Sequence, residues 1–102
     1  MDCISVSGFL TQEDFTSYPN LGDIQCNKFL KGHTSKTGPT LFNTKKDAYE
    51  AMMDDPEAGG IVKSSGVSER SIVHNKWSVR KGTKLIDAWP DKSPEIACLK
   101  LI

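Results

Sequence analysis

Residues 44–62 read TKKDAYEAMMDDPEAGGIV, and this stretch decides the fold. Thr44 is a good helix N-cap, and Ala48 and Met52 follow it at helical spacing. Pro56 removes the preceding residue from the α region, so the helix has to end there. The two glycines that come next allow the chain to reverse sharply before an apolar strand begins. The stretch therefore predicts one short helix followed by a buried strand.

The charges of this helix run against its dipole. Lys45 and Lys46 open the helix, whereas Asp54 and Asp55 close it, and each unfavourable charge costs about 0.3–1 kcal/mol. Tertiary packing must therefore hold the helix in place. We expect these charges, with Glu57, to be solvated. An alternative is that the acids serve a partner or a cation, but their spacing does not match an EF-hand loop, and we predict no metal site.

The size and charge of the chain set broad limits. Its 102 residues predict a single domain over positions 1–102, and 13 basic residues balance 13 acidic ones. No apolar run is long enough for a bilayer, and the N-terminus does not resemble a signal peptide, so we expect a soluble protein with no membrane partner. The odd number of cysteines, three, favours a reducing compartment and predicts a cytoplasmic location. One disulfide plus one free thiol is the alternative.

The remaining sequence adds strands around the helix. Strand patterns occupy residues 3–10, 23–30 and 96–102, and residues 76–87 predict a hairpin with a three-residue loop that places Trp77, Val79 and Leu85 on one face. A helical turn capped by Thr11, with Asp14 at N3, is predicted before the second strand. The order of elements predicts an α+β domain in which one helix packs on an antiparallel sheet.

Catalytic and cofactor motifs are weak. The GHTSKTG segment at 32–38 has its lysine in the wrong place for a phosphate loop, and a proline follows instead of a helix. A cysteine enzyme would need Cys26 or Cys98 beside His33 or His74, which the sequence cannot establish; we expect both histidines at the surface. There is no C-x-x-C pair for zinc. The sequence predicts no enzyme and no cofactor.

A strip of cations between Lys63 and Lys84 is the clearest charge feature. Only Glu69 opposes it, and Trp77 lies within it. Cations beside an exposed aromatic ring can follow a phosphate backbone and stack a base, so nucleic-acid binding is one hypothesis. The alternative places Trp77 in the core and the cations on the solvent face, where they would meet an acidic protein or a sulfated glycan. The strip could also meet the acidic helix of a second copy. Three of its members are candidate ligand-binding residues, Arg80, Lys81 and Lys84.

Two aromatic residues are candidates for contact with a sugar. Trp89 precedes a proline at a strand end, and Tyr18 lies just before a turn. An aromatic ring at such a corner either covers the core or provides a platform for a carbohydrate. We name Trp89 and Tyr18 as candidate carbohydrate contacts.

The region from Tyr18 to about Lys81 resembles the PAN/apple group of domains. The similar parts are NLGDI at 20–24, the helix around Ala48, the acid–proline turn formed by Asp55 and Pro56, and the GIV segment at 60–62. The resemblance implies a helix lying across an antiparallel sheet in a non-catalytic module that binds protein or carbohydrate. It transfers no binding residue. The family ties its helix to the sheet with disulfides, whereas this chain has Met52 and Met53 on the helix and Ala58 in the turn, so packing would replace the crosslinks.

These observations predict a small binding module for protein or carbohydrate. Nucleic-acid or polyanion binding through the cationic strip is the alternative, and a cysteine–histidine enzyme is a third, weaker hypothesis.

Overall fold

The fold is described from a computed structural model, which places residues 10–64, 75–88 and 95–101. A 3-10 turn at Gln12–Phe15 comes first, followed by two short strands, β1 (Gln25–Cys26) and β2 (Lys28–Phe29). The helix α1 spans Lys45–Met53, and β3 spans Gly60–Ser64. Strands β4 (Lys76–Arg80), β5 (Ile86–Asp87) and β6 (Glu95–Leu99) complete the domain. The strand predicted at residues 3–10 lies outside the described residues.

The helix begins and ends where the sequence predicts. The Thr44 hydroxyl accepts a hydrogen bond from the Asp47 amide at 3.1 Å, which satisfies one of the free N–H groups of the first turn. Asp54 caps the other end, just before the acid–proline turn. Ala48 and Met52 are fully buried, whereas Met53 is 39% exposed. One methionine therefore packs as expected, and the other faces solvent.

The sheet has four antiparallel strands in the order β1-β6-β3-β4, and β2 and β5 form a separate two-stranded sheet. Strand β3 is central: Ile61 pairs with Val79 of β4 on one side and with Cys98 of β6 on the other. The α+β class, with one main helix on an antiparallel sheet, is confirmed. Within the described ranges, no helix has the length or hydrophobicity that a membrane span requires.

The predicted hairpin over residues 76–87 is wrong. Strand β4 pairs with β3, and β5 pairs with β2, so Phe29 lies opposite Ile86. Trp77 and Val79 pack on the helix side of the sheet, whereas Leu85 packs with Leu30 on the opposite side. A short glycine-containing loop can connect two strands of different sheets as well as the two strands of a hairpin. The alternation of side chains along the chain does not distinguish these two cases.

The predicted second strand is broken in the middle. Asn27 has a φ of 60°, a left-handed conformation that asparagine tolerates better than most residues. The break allows β1 to join β6 in the large sheet while β2 turns away to join β5. The short helical turn before it is confirmed, because Asp14 accepts a hydrogen bond from the Thr11 amide at 2.8 Å.

The core lies on both faces of the large sheet. Between the helix and the sheet, the main cluster contains Met52, Ile61, Trp77 and Ile96. The smaller cluster, on the other face, is built from Leu30, Val62 and Ala97. Trp77 is 1% exposed, which confirms its placement in the core.

Buried charges border the main cluster, and this differs from the prediction of a solvated helix start. Lys45 is 3% exposed, and its ammonium donates to the carbonyls of Asp14 and Thr16 at 2.6 and 2.8 Å. Asp14 forms a buried ion pair with Lys63, with 2.8 Å between Oδ2 and Nζ. The charge at the helix N-terminus is tolerated because the 3-10 turn supplies oxygen partners that water would otherwise provide.

Candidate functional site

The candidate ligand-binding residues fall on two sides of the molecule. Arg80, Lys81 and Lys84 lie at the end of β4 and in the loop that follows it. Tyr18 packs on the helix side of the sheet, against the main core cluster. Trp89 lies outside the described residues. The structure therefore groups the three cations and separates them from Tyr18.

Backbone hydrogen bonds join the cationic loop to a second loop. The Lys81 amide donates to the Gly32 carbonyl at 2.9 Å, and the Gly82 amide donates to the Lys31 carbonyl at 2.8 Å. We call residues 31–33 and 80–84 together the basic loop pair. It adds the exposed side chains of Lys31 and His33 to those of Lys81 and Lys84. Sequence reasoning missed Lys31, because the two loops are fifty residues apart in the chain.

Glycines allow the backbones of the loop pair to pack closely. A Cβ atom at Gly59 would lie 2.0 Å from the Gly82 carbonyl oxygen, and a Cβ at Gly82 would lie 2.8 Å from the Lys31 carbonyl oxygen. No side chain fits either position without moving backbone. The turn after the helix thus supports the loop pair directly and fixes its position relative to the sheet.

Arg80 is an anchor more than a free cation. It is half-buried, and its guanidinium donates to the Ser78 hydroxyl at 2.8 Å and to the Leu30 carbonyl at 3.1 Å. Burial lowers the pKa of Arg80, and the charge of Glu95 opposes that shift. The Leu30 contact ties β4 to the start of the loop pair, so Arg80 positions the neighbouring lysines.

The acid–proline turn lies beside the loop pair, and one of its acids is buried. Asp55 is 1% exposed; it accepts hydrogen bonds from the Thr34 hydroxyl and, at 3.0 Å, from the Glu57 amide. The expectation of a fully solvated acidic cluster is therefore wrong for Asp55. Thr34 is 2% exposed, so its hydroxyl needs hydrogen-bond partners within the protein. Its hydrogen bond to the Asp55 carboxylate therefore holds the segment after His33 against the turn.

The acids on either side of the acid–proline turn, Asp54 and Glu57, are partly neutralised. Glu57 lies 3.7 Å from the Lys81 ammonium, and Asp54 lies 2.9 Å from that of Lys36. The ammonium of Lys36 lowers the pKa of Asp54 by hydrogen bonding and by its charge. Lys31 and Lys84 form no side-chain contact of this kind among the described residues. The loop pair therefore retains cationic groups that are free to meet an anion.

The cationic strip predicted between Lys63 and Lys84 does not form one surface. Lys63 is 4% exposed and paired with Asp14, and Lys76 donates a hydrogen bond to the side chain of Asn43. Trp77 is buried and has no exposed ring for a base. The base-stacking interpretation of Trp77 is therefore wrong. Arg70 lies outside the described residues, and the exposed cations of the described part of the strip belong to the loop pair.

Tyr18 offers little free ring surface. Its ring stacks on that of Tyr49, with 4.6 Å between centroids and 21° between planes, and the Lys45 ammonium lies 5.9 Å from the Tyr18 ring centroid. The Tyr49 hydroxyl donates to the Pro19 carbonyl at 2.8 Å, which fixes the stacked pair. Tyr18 thus covers the helix entry, where these neighbours compete with a sugar for its ring.

Neither of the two described cysteines offers a reactive thiol at this surface. Cys98 is fully buried, and burial raises the pKa of its thiol to about 11, so the nucleophilic thiolate is scarce at neutral pH. Cys26 is disulfide-bonded. His33 is exposed as predicted, and His74 lies outside the described residues. Across the described ranges, no three histidine, cysteine or carboxylate side chains converge as a metal site would require.

Comparison with known proteins yields no relative. No family model matches the chain, and neither a curated protein nor a solved structure matches it significantly.

Proposed function

We propose that this chain is a non-catalytic binding module that holds an anionic carbohydrate at the basic loop pair. The observation that carries the proposal is the hydrogen-bonded union of residues 31–33 with residues 80–84, which gathers the exposed lysines Lys31, Lys81 and Lys84 on a glycine-packed support. Because the backbone beneath these lysines is already fixed, binding an anion orders only their side chains, which favours affinity.

The composition of the loop pair favours a carbohydrate over a protein. Its residues read KGH and RKGTK, with no apolar side chain to act as the buried anchor of a protein interface. Sulfate or carboxylate groups on a sugar need charge and hydrogen-bond donors, which lysines supply. An acidic protein is the second ligand to test, because the same cations would meet its carboxylates.

Nucleic acid is the weaker alternative. Single-strand binding combines cations with aromatic rings on which bases stack, and the loop pair contains no aromatic residue other than His33. Lys63 and Trp77, which the nucleic-acid hypothesis also used, are both buried. The remaining lysines would track only a short length of phosphate backbone.

An amide-resolved NMR titration with a sulfated oligosaccharide tests the proposal. We expect shifts confined to residues 31–33 and 80–84, which weaken as salt rises because exposed charges are screened. A single-stranded oligonucleotide, an acidic peptide and a neutral oligosaccharide are titrated in parallel. Tighter binding of the acidic peptide or the oligonucleotide than of the sulfated sugar would contradict the carbohydrate assignment. Silence with all three anions would overturn the site.

Charge-removing variants assign the binding to the loop pair. Lys31→Gln combined with Lys84→Gln should abolish the shifts, because both side chains are exposed and make no contact that the fold requires. Lys46→Gln, which removes one exposed lysine from the helix, is the control for the single variants Lys31→Gln and Lys84→Gln, because each of them also loses one positive charge. An equal loss of binding in Lys46→Gln and in the single variants would show that net charge, and not the loop pair, attracts the ligand.

Kinship with the PAN/apple group remains part of this proposal. The helix lying on an antiparallel sheet, with the acid–proline turn leading into β3, agrees with what the resemblance implies.

The cytoplasmic location stays a prediction, and the disulfide at Cys26 weakens its basis, because disulfides persist mainly in oxidising compartments. Titration of one free thiol per unreduced, denatured chain would favour an oxidising compartment, whereas three would favour the cytoplasm.

A further inference from the structure

A second surface is apolar and shares no residue with the basic loop pair. Phe15 and Leu101 are 58% and 62% exposed, and among the described residues only Met53 joins them as a large exposed apolar side chain. Phe15 lines a cleft of about 160 Å³, and Leu101 lines a second cleft of about 370 Å³. Exposed apolar groups gathered beside concave surfaces are typical of interaction sites.

The two clefts meet at one short segment. Leu21, Gly22 and Asp23 line both of them. A Cβ atom at Gly22 would lie 3.5 Å from the Leu101 side chain, so Leu101 lies directly over this glycine. The Gly22 amide donates to the Leu99 carbonyl at 2.7 Å, which fixes the segment to β6. We call Phe15, Leu101 and the segment 21–23 the Phe15–Leu101 surface.

A carboxylate lies at the centre of this surface. Asp23 is exposed, and within the described part of the chain its side chain makes neither an ion pair nor a hydrogen bond. The nearest buried cation at the first cleft, Lys45, is already bonded to two carbonyls. The surface therefore presents two apolar contacts around one available negative charge.

We infer that the Phe15–Leu101 surface binds a segment of a partner protein in which a basic side chain is flanked by apolar ones. The apolar side chains enter the two clefts, beside Phe15 and Leu101, and the basic group meets Asp23 between them. The surface is separate from the basic loop pair, so the inference stands or falls independently of carbohydrate binding.

A second copy of this chain fits the surface less well than such a partner. A symmetric contact would bring the same patch from both subunits together and place the two Asp23 carboxylates near each other, where like charges repel. Met53, the other large apolar side chain exposed in the described ranges, is followed by Asp54, so it too would bring an acid toward Asp23. A basic, apolar segment from another protein meets neither obstacle.

Selection from a library of random short peptides displayed on phage tests the inference with the intact chain. We expect enriched peptides with a central Arg or Lys between apolar residues. Absence of enrichment, or enrichment of acidic peptides, would overturn the inference. Sedimentation of the chain alone is measured alongside, and concentration-dependent association that Leu101→Ala abolishes would assign the surface to self-association and overturn it as well.

Variants distinguish the two parts of the recognition. With the best selected peptide, Phe15→Ala and Leu101→Ala should each weaken binding by more than about fivefold, the usual effect of losing an interface anchor. Asp23→Asn should cost about two- to fivefold, as for an exposed ion pair, and should shift a new selection away from basic residues. Met53→Ala is the matched control because it removes an exposed apolar side chain elsewhere; an equal loss there would refute the assignment.

Discussion

Replacement of Asp55 by alanine should destabilise the fold far more than replacement of its neighbour Asp54. The Asp55 carboxylate is buried and accepts two hydrogen bonds, from Thr34 and from the Glu57 amide. A hydrogen bond to a charged group contributes about 1.5–3 kcal/mol, so the loss of both predicts a cost of about 3–6 kcal/mol. A domain of this size has only about 5–15 kcal/mol of stability, so the variant should be close to its unfolding threshold.

Asp54→Ala is the matched control, one residue away. Its side chain is 79% exposed, and its ion pair with Lys36 is a surface contact, which solvent screens and which contributes little to stability. Both variants lose one negative charge from the same turn. The difference between them therefore isolates burial and hydrogen bonding from net charge.

Urea denaturation followed by circular dichroism and tryptophan fluorescence measures the effect. The midpoint should fall strongly for Asp55→Ala and slightly for Asp54→Ala, at an unchanged slope. Combining Asp55→Ala with Thr34→Val completes a double-mutant cycle, in which Thr34→Val should cost less once the carboxylate is gone. The cost that remains comes from the hydrogen bond that the Thr34 hydroxyl accepts from the Thr37 amide at 3.0 Å. The reasoning is refuted if the two aspartate variants are equally stable, or if the Thr34 and Asp55 effects are additive.

Three further predictions concern buried groups. Asp14→Ala removes the carboxylate from its buried ion pair with Lys63 and should cost about 3–5 kcal/mol by urea denaturation; a cost below that of an exposed pair would contradict the burial. Trp77→Ala empties the centre of the helix-facing core and should cost about 3–5 kcal/mol, so a stably folded variant by thermal denaturation would count against this packing. Burial raises the pKa of Cys98 from 9.0 to about 11, so the folded protein holds this proton more tightly than the unfolded chain. The contribution of Cys98 to the free energy of unfolding should therefore be fully present below pH 9 and be lost as pH rises toward 11. In Cys98→Ala that component disappears, whereas a pH profile unchanged by the substitution would show that Cys98 titrates normally.

Local signals in the sequence are sufficient to predict where the helix begins and ends. The N-cap at Thr44 and the stop at Pro56 depend only on adjacent residues, and the structure confirms both ends of α1. The same is true of the Thr11–Asp14 turn. The hairpin prediction is wrong because β4 and β5 each pair with a strand that is distant in the sequence, and alternation of side chains alone does not identify a strand's partner.

The candidate surfaces are harder to predict for the same reason. Lys81 and Lys84 were named from the sequence, but Lys31 becomes their neighbour only through the hydrogen bonds between the loops. Lys45 and Asp55 look like ordinary surface charges, because the oxygen and hydroxyl groups that bury them come from residues about thirty and twenty positions away. A pattern of charges along the sequence does not reveal partners that come from distant segments.

The contact between Gly59 and Gly82 has an evolutionary consequence. Backbone atoms alone form this contact, so the side chains of Lys31, Lys81 and Lys84 can change without disturbing the support beneath them. Proteins descended from a common ancestor with this chain could therefore exchange these exposed residues, and with them the ligand proposed for the loop pair, while both glycines stay fixed. In an alignment of such descendants, we expect two invariant glycines beside positions of high variability, a signature that would test the proposed recognition surface before any ligand is known.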